Sequence, residues 1–449
     1  MRYTVVGALA LGLALSASHA AGAQRTTPRA RPPAAPVSTA PAAAADAAAS
    51  SLPMAGAEKQ FFQDAARTAW TYVDRQTNAS SGLVNSVANY HFTTMWDIGS
   101  GLLALYSAGQ LGLVPAADYD RRMRLALHTL ATTRMYDNAA FNKNYDTRTG
   151  AMAGRNGTES EGADRGYGWS ALDLGRLLVA LKVIDANQPQ YHADVQQVVG
   201  RLAFDRLVRD GYLSGEDVAP RSRRARRYQE GKIGYEQYSA MGYAAWQHRP
   251  DRALSLAENT YPITVLGVPL LMDKRGGKLT SEPFLMAGLE MGWTPEMREL
   301  SWRLLAAQEA RFRQTGKVTL VSEDALNRPP YFLYYSVYSD GEAFKVEPPE
   351  GAPPGDTPRT VSTKAAFGWH ALLPSPYTWR ALQMVSGART SEGWGAGVFE
   401  DNGRISGATN VNTAAMVLEA SLYVMRGKPL VEPASAPPLA TAPAAGAQH

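Results

Sequence analysis

The chain has 449 residues, enough for two or three ordinary domains or one large one, and it contains no cysteine. The absence of cysteine excludes disulfides, thiolate metal sites and cysteine nucleophiles, and we expect no cofactor and no metal. Five of the 45 basic and two of the 41 acidic residues lie outside residues 58–427, so the net charge of +4 belongs mostly to the chain ends. Nucleic acid is therefore not an expected partner.

The chain starts with the pattern of a secretory signal. A basic start, Met1–Tyr3, precedes a short apolar run, Val5–Leu15, and small residues follow up to Ala23. Residues 1–23 are therefore predicted to be a signal peptide, with an uncleaved anchor helix as the alternative. We expect a periplasmic or secreted protein with no stable membrane span after cleavage. Residues 24–57 and 428–449 are rich in Ala and Pro and are predicted to be a disordered linker and tail.

The segment between these ends is predicted to be almost entirely helical. Phe62, Ala65, Ala66, Ala69 and Val73 follow the spacing of one buried helix face. The same periodicity or composition predicts helices around Trp96–Ala108, Tyr119–Thr132, Leu174–Leu181, Gln190–Val208, Tyr235–Trp246, Phe284–Met291, Pro295–Gln314, Thr363–Leu372, Tyr377–Val385 and Ala415–Met425. Phe332–Tyr338 is the best predicted strand.

Short turns alternate with long loops rich in Gly and Pro. The long loops are predicted at Thr77–His91, Tyr136–Gly168, Asp210–Gly234, Tyr261–Ser281, Leu320–Ser362 and Thr390–Gly407. One long loop for each helical pair predicts an all-α fold, a single (α/α) barrel over residues 58–427. This barrel would be a toroid of about six helical hairpins with its long loops on one face. A helical solenoid is the alternative, but no fixed sequence repeat supports it.

Carboxylates accompany aromatic residues in these loops: Asp97, Glu159, Glu161, Asp164, Glu230, Glu236, Glu282, Glu323, Asp324 and Glu400. Glycoside hydrolysis needs one protonated acid at the leaving oxygen and one carboxylate that activates water or attacks carbon. Glu236, flanked by two tyrosines, is predicted as the general acid and Asp97 or Asp324 as the base. Glu282 is predicted to orient these groups, and we expect the four to converge on one cleft. Helix capping and stabilisation of the helix dipole are alternative roles for those at helix starts.

Aromatic and basic residues of the loops are candidate substrate ligands. Trp96, Trp169, Trp369 and Trp394 are predicted to be stacking platforms for sugar rings, and core packing is the alternative. Arg165 and Lys364 are predicted to hold hydroxyls or carboxylates of the substrate, and Tyr145 and Tyr235 are also predicted to be substrate ligands. The basic run at 221–227 is either a solvated loop or a grip for an anionic polysaccharide.

Several motifs resemble a bacterial exported family, the domain-of-unknown-function group numbered three-one-three-one, which is often found beside exopolysaccharide genes. They are Thr94–Asp97, Arg165–Arg176, Gln229–Glu236, Ser281–Pro283, Ser322–Asp324, Arg328–Phe332 and Ser362–Leu372. More distantly, Trp169–Asp173 and Gly393–Glu400 are similar to the glycoamylase-like β-glucan hydrolases. This second resemblance implies an (α/α) barrel and hydrolysis of a glucan by inversion. The chain departs from the first family at Asp164, Gln237 and Ala414.

Together these features predict a periplasmic glycoside hydrolase that cleaves a glucan or a related bacterial exopolysaccharide. One alternative is a non-catalytic glycan-binding or polysaccharide-export accessory protein. The other is a polysaccharide lyase, in which Tyr235 or Tyr145 would be the base and Arg165 would neutralise the substrate carboxylate. The expected partners are the polysaccharide substrate and the machinery of exopolysaccharide synthesis or export.

Overall fold

The computed structural model describes residues 55–154, 165–219 and 222–431. The predicted signal peptide, most of the linker and most of the tail lie outside these residues. The helices are α1 Ala55–Gln76, α2 Met95–Gln110, α3 Ala116–Thr132, α4 Ala171–Asn187, α5 His192–Val199, α6 Phe204–Leu207, α7 Tyr235–Ala244, α8 Asp251–Leu254, α9 Leu256–Asn259, α10 Glu282–Met286, α11 Pro295–Thr315, α12 Thr363–Leu372, α13 Pro376–Val385 and α14 Val411–Arg426. A π-helical turn, Ala287–Met291, extends α10.

Six inner helices form a closed ring. In chain order α2, α4, α7, α10, α12 and α14 each pack on the next, and α14 packs back on α2. Among the outer helices α1 packs on α14, α5 on α4 and α13 on α12, whereas the outer side of α7 is covered by the one-turn helix α8. The predicted toroid of paired helices is therefore present in the described residues.

The loop face also contains β-structure, so the all-α fold class is too narrow: strand makes up 19% of the structure. The strands are β1 Phe92–Thr94, β2 Asn144–Asp146, β3 Gly168–Trp169, β4 Val208–Arg209, β5 Tyr212–Val218, β6 Ala225–Gln229, β7 Thr260–Val265, β8 Val268–Asp273, β9 Lys278–Leu279, β10 Glu323–Ala325, β11 Phe332–Tyr335, β12 Tyr338–Ser339, β13 Glu342–Ala343, β14 Val346–Glu347, β15 Thr360–Ser362, β16 Arg389–Thr390, β17 Gly393–Trp394 and β18 Gly397–Phe399.

These strands pair antiparallel in small sheets. The order is β3-β5-β4 with β6 beside β5, β10-β11-β14, β9-β12-β13, and the pairs β1-β2, β7-β8, β15-β18 and β16-β17. The predicted strand at Phe332–Tyr338 is confirmed by β11 and the start of β12. The predicted loop Tyr261–Ser281 is instead largely the β7-β8 hairpin, which turns at Leu266 and Gly267 with φ of 49° and 80°.

Each long connection enters an inner helix at its amino terminus, whereas short turns join the inner helices to the outer ones. The amino termini of all six inner helices therefore open toward the same loop face. Close packing of the ring depends on glycine: a Cβ on Gly242 of α7 would lie 2.2 Å from the carbonyl oxygen of Gly175 on α4. Among the described residues, no helix combines the length and the apolarity that a bilayer crossing requires.

Candidate active site

The first turns of the inner helices position the candidate residues. Polar side chains cap four of these helices by accepting a hydrogen bond from the amide three residues on: Thr94 for α2, Ser170 for α4, Ser362 for α12 and Asn410 for α14. Six amino termini also concentrate partial positive charge at the loop face, which favours carboxylates there. Four acids lie in these turns, namely Asp97, Asp173, Glu236 and Glu282.

Three acidic residues surround the ammonium group of Lys364 in the first turn of α12. Oε2 of Glu282 accepts a hydrogen bond from Lys364 Nζ, and Oδ1 of Asp324 lies 4.0 Å from the same nitrogen. The backbone carbonyl of Glu323 accepts a further hydrogen bond from Lys364 Nζ at 2.6 Å. The side chains of all four residues are buried, with Glu323 the most exposed at 7%. We call Glu282, Glu323, Asp324 and Lys364 the Lys364 cluster.

Burial shifts the protonation of this cluster. It raises the pKa of Glu323 to about 8, and the nearby Glu282 carboxylate adds to the rise. It also raises the pKa of Asp324 to about 6, against the effect of Lys364. Burial alone would lower the pKa of Lys364, but the surrounding carboxylates outweigh it and the pKa is raised. At neutral pH the cluster therefore holds a protonated Glu323 beside the ion pair of Glu282 and Lys364.

Two aromatic rings connect the Lys364 cluster with the first turn of α2. The buried hydroxyl of Tyr235 lies close to the carboxyl of Glu323. Burial, followed by the charges of Glu282 and Glu323, raises the pKa of Tyr235. The centroid of the Tyr235 ring lies 5.6 Å from that of Trp96. A buried phenol beside a protonated acid suits the recognition of a substrate hydroxyl.

Asp97, next to Trp96, is held by neutral donors. Its Oδ1 accepts a hydrogen bond from Asn412 Nδ2 at 2.9 Å, and its Oδ2 accepts from the hydroxyls of Thr94, at 2.9 Å, and of Ser86. The amide of Asp97 donates in turn to Thr94 Oγ1 at 3.1 Å, which completes a capping box. The capping role is thus confirmed, and the bond to Asn412 adds a link to α14 that a cap does not require.

A buried polar network continues from Asn412 into the barrel. Oδ1 of Asn412 accepts from Ser100 Oγ at 2.7 Å, and Ser100 Oγ accepts from Arg176 Nε at 2.8 Å. Arg176, 2% exposed, is 2.7 Å from Glu290 and 3.3 Å from Glu419. Burial acts to lower the pKa of Arg176, but its acidic partners have the larger effect. The pKa is therefore raised above its ordinary value, and the guanidinium stays charged. We call Ser100, Arg176, Tyr238, Glu290 and Glu419 the axial network.

Glu236 lies outside both groups. Its side chain is 0% exposed. Oε2 accepts from Arg275 Nη2 at 2.6 Å, and Oε1 accepts from Gln229 Nε2 at 2.9 Å. Burial raises its pKa to about 7 although Arg275 opposes the rise. Both oxygens of the predicted acid are therefore occupied by protein donors.

The expected convergence of four carboxylates is only partly present. Glu282 and Asp324 meet at Lys364, and Asp97 is connected to them through the rings of Trp96 and Tyr235. Glu236 is enclosed by its own partners instead. Arg275 is 39 residues further along the chain than Glu236, so no local sequence signal could reveal their pairing.

A second buried acid pair stands at the start of α4. Glu230 accepts from the amides of Ala171 and, at 3.4 Å, Leu172, and therefore caps the helix. Burial and then the Glu230 charge raise the pKa of Asp173, which is 3% exposed. The sequence prediction assigns neither a role, nor does it assign one to Glu323. The signal available for Asp173 was its place in the aromatic motif that starts at Trp169.

All four predicted stacking platforms are buried in the core, which favours the packing alternative. Trp169, Trp369 and Trp394 are at most 1% exposed. Their indole nitrogens donate to Ser214 O at 2.7 Å, Ser281 Oγ at 3.0 Å and Ala65 O at 3.0 Å, respectively. These bonds join β3 to β5, α12 to the residue before α10, and β17 to α1, and they satisfy each buried indole N–H. Trp96 is buried too, at 3%, and its ring contacts that of Tyr235 at the candidate site.

The remaining predicted ligands have different positions. Tyr145 is 1% exposed and donates to the carbonyl of Arg134 at 2.8 Å, so it is structural and not a substrate ligand. Arg165 is exposed, at the edge of residues 155–164. Glu159, Glu161 and Asp164 fall within that range and lie outside the described residues.

The basic run 221–227 is partly a strand. Its last four residues belong to or border β6, which pairs with β5. Arg227 is 2.8 Å from Glu216, and Arg223 donates to the carbonyl of Gly166 at 2.6 Å. Arg221 lies outside the described residues. These two partnered arginines are better explained as structural than as a grip for polysaccharide.

The family described as "Protein of unknown function (DUF3131)" matches residues 64–427. No curated protein is similar to the chain in sequence. Among the described residues, no group of three or more His, Asp or Glu is arranged to hold a metal ion.

Solved structures share the fold. A candidate glucoamylase from Bacteroides caccae has a TM-score of 0.60 at 12% identity and covers 82% of this chain and 94% of its own. An endo-β-1,2-glucanase from Chitinophaga pinensis has a TM-score of 0.57 at 11% identity, with 84% and 94% covered. An endo-β-1,2-glucanase mutant from Talaromyces funiculosus has a TM-score of 0.57 at 11% identity, with 82% and 86% covered. The (α/α) barrel is thus common to all of these proteins.

Proposed function

The chain belongs to the DUF3131 family, and we propose that it is a glycoside hydrolase that cleaves a glucan or a related bacterial exopolysaccharide. The observation that carries the proposal is the Lys364 cluster, where a protonated carboxylic acid lies beside an ion-paired carboxylate at the loop face. The fold shared with β-1,2-glucanases supports the choice of a glucan. The predicted signal peptide supports a periplasmic or secreted location.

Glu323 is the general acid in this proposal. With a pKa of about 8 it carries a proton at neutral pH, as the acid that protonates a leaving glycosidic oxygen must. Once ionised, it would be stabilised by Lys364, which lowers its pKa. Glu236, with a pKa of about 7, is the competing candidate. We favour Glu323 because it lies with Glu282 in the Lys364 cluster and next to Tyr235, whereas Glu236 forms a separate ion pair with Arg275 at 2.6 Å.

Asp97 is the water-activating base. It follows Trp96 in the chain, the Trp96 ring lies 5.6 Å from that of Tyr235, and three neutral donors orient the oxygens of Asp97. Asp324, the other predicted base, is less suited because burial raises its pKa to about 6 and leaves part of it protonated near neutrality. Glu282 orients Lys364. Separate acid and base across a sugar ring correspond to inversion of configuration.

A lyase is less well supported. β-Elimination would require a tyrosine that loses its proton, but burial raises the pKa of both Tyr235 and Tyr145. The neighbouring carboxylates raise that of Tyr235 further. A lyase would release unsaturated products that absorb ultraviolet light, whereas a hydrolase would not.

The test is reducing-end release by the purified protein from β-1,2-, β-1,3- and β-1,4-glucans and bacterial exopolysaccharides. The wild type should release reducing ends, and Asp97→Ala should lose most of this activity. Sodium azide should restore turnover of an activated glycoside by Asp97→Ala and give a glycosyl azide of inverted configuration. Binding without any new reducing ends would favour the glycan-binding or export accessory role.

A further inference from the structure

A second concave site lies on the loop face, between the loop that precedes α12 and the loop that precedes α14. It is a cavity of about 370 Å³ lined by three arginines and two apolar side chains among others: Arg328, Arg359, Arg404, Phe399 and Ile405. Ile405 is 40% exposed, unusual for a large apolar side chain. None of these residues has a role in the proposed reaction.

The backbone fixes the three arginines around one aromatic ring. The amide of Phe399 donates to the carbonyl of Arg404 at 2.8 Å, and the next amide, of Glu400, donates to that of Arg359 at 3.0 Å. The guanidinium carbon of Arg328 lies 5.1 Å from the centre of the Phe399 ring. Because Phe399 ends strand β18, which pairs with β15, these positions are tied to the barrel.

Positive charge exceeds negative charge in the cavity, because three arginines and one acid, Asp401, line it. Among the described residues, no carboxylate lies within ion-pair distance of Arg328, Arg359 or Arg404. The lining acid Asp401 pairs with Lys317, although the charge of Arg359 also helps to lower its pKa. Glu400 accepts two bonds from Arg311, at 2.9 and 2.8 Å. Three guanidinium groups without carboxylate partners are suited to bind an anion with two or more oxygens.

The cavity is close to the Lys364 cluster. Asn327 lines it, three residues after Asp324, so the backbone positions of these two residues are at most about 10 Å apart at ~3.3 Å per residue. A polymer that reached Glu323 could therefore extend across the cavity.

We propose that this cavity is a subsite for an acidic group, a carboxylate or a phosphate, borne by a sugar of the polysaccharide chain. Phe399 and Ile405 supply apolar contact for that sugar, and the arginines bind its anionic oxygens. The substrate class would then be an acidic exopolysaccharide. This inference rests on the proposed function for the identity of the ligand as a polysaccharide, but the binding site itself does not require catalysis.

The test compares the binding of matched glucans by titration calorimetry. One probe is a β-glucan oligosaccharide in which C6 hydroxyls have been oxidised to carboxylates, a second carries 6-phosphates and the third is unmodified. The wild type should bind one or both acidic probes more tightly than the neutral one, and salt should weaken this preference. The two acidic arms show whether carboxylate or phosphate is preferred.

The variant Arg328→Gln/Arg359→Gln/Arg404→Gln should lose about tenfold in affinity for the acidic probe per charge-assisted hydrogen bond removed, with neutral binding unchanged. The matched control removes three exposed arginines of the outer helices, Arg67→Gln/Arg121→Gln/Arg303→Gln, and should retain the preference. Unchanged thermal unfolding of both variants would show that they fold.

Equal affinity of the wild type for acidic and neutral probes, or an equal loss in both triple variants, would overturn the inference. A preference for acidic probes that depends on the three arginines, without cleavage of any glucan, would sustain the subsite and refute the proposed hydrolase. Cleavage of glucans without a preference for acidic probes would support the proposed hydrolase and refute the subsite.

Discussion

Replacement of Arg176 by Met is the sharpest test of the axial network. Arg176 contacts Glu290 and Glu419 at 2.7 and 3.3 Å and is 2% exposed, and both acids are 0% exposed. Met has a similar apolar length but no charge, so the variant leaves two acids without their cation. The pKa of Glu419 is already raised by burial and by Glu290.

Removal of one partner from a buried ion pair typically costs about 3–5 kcal/mol of unfolding free energy. The two acids would have to take up protons in the folded variant, so their pKa values would rise above the unfolded values. Stability that depends on such protons is present at low pH and is lost as the pH rises through the folded pKa. The loss in Arg176→Met should therefore be larger at pH 8 than at pH 5.

Urea unfolding of the full chain at both pH values measures this loss. Arg303→Met is the matched control, because Arg303 pairs with Glu299 at 2.7 Å on the exposed surface of α11 and its loss should cost about 0–0.5 kcal/mol. An Arg176→Met variant that loses no more than the control, or whose loss is independent of pH, would contradict the charged state that we assign to the network.

Three other predictions concern single positions. The folded pKa of Glu323 is about 8 and exceeds its ordinary value of 4.5. Its contribution to the unfolding free energy is therefore full below pH 4.5 and is lost as the pH rises through about 8. Glu323→Gln should abolish this decrease in stability with pH, measured by urea unfolding across the pH range. Gly234→Ala should lower the unfolding free energy by about 1–3 kcal/mol in the same assay, because φ is 86° and the new Cβ would lie 2.6 Å from Pro283 Cγ. An unchanged unfolding midpoint would show that alanine is not strained there. Trp369→Phe should lower the unfolding free energy by about 1–3 kcal/mol, because the bond to Ser281 is lost and the ring is smaller. Glucan affinity, measured by calorimetry, should not change. Weaker glucan affinity with unchanged stability would support the predicted role of Trp369 as a stacking platform.

The ring of paired helices could be predicted because its signals are local. The cap at Thr94 and the acid at Asp97 mark the start of α2, and the alternation of long and short connections predicts which helix ends meet. The two-residue turn at Leu266 and Gly267 was missed because Leu seldom adopts positive φ, so the β7-β8 hairpin had no clear turn signal.

The candidate site could be predicted less completely because its contacts join distant segments. The start of α12 and the loop before it were both recognised, but only the closed barrel shows that Lys364 lies between Glu282 and Asp324. Trp169 and Trp394 have sequence surroundings like those of Trp96, and only their contacts in the fold distinguish them. Composition indicates an aromatic, acidic loop face, whereas the depth of each side chain is a property of the fold.

The most direct test of the central claim is the pH profile of kcat/KM for glucan cleavage by the wild type, Glu323→Gln and Glu236→Gln. If Glu323 is the acid, wild-type kcat/KM should fall as the pH rises through about 8, and Glu323→Gln should lose about 10²–10⁴-fold and the alkaline limb with it. Glu236→Gln should keep that limb. A Glu323→Gln variant that cleaves at the wild-type rate, while Glu236→Gln is inactive, would contradict the assignment.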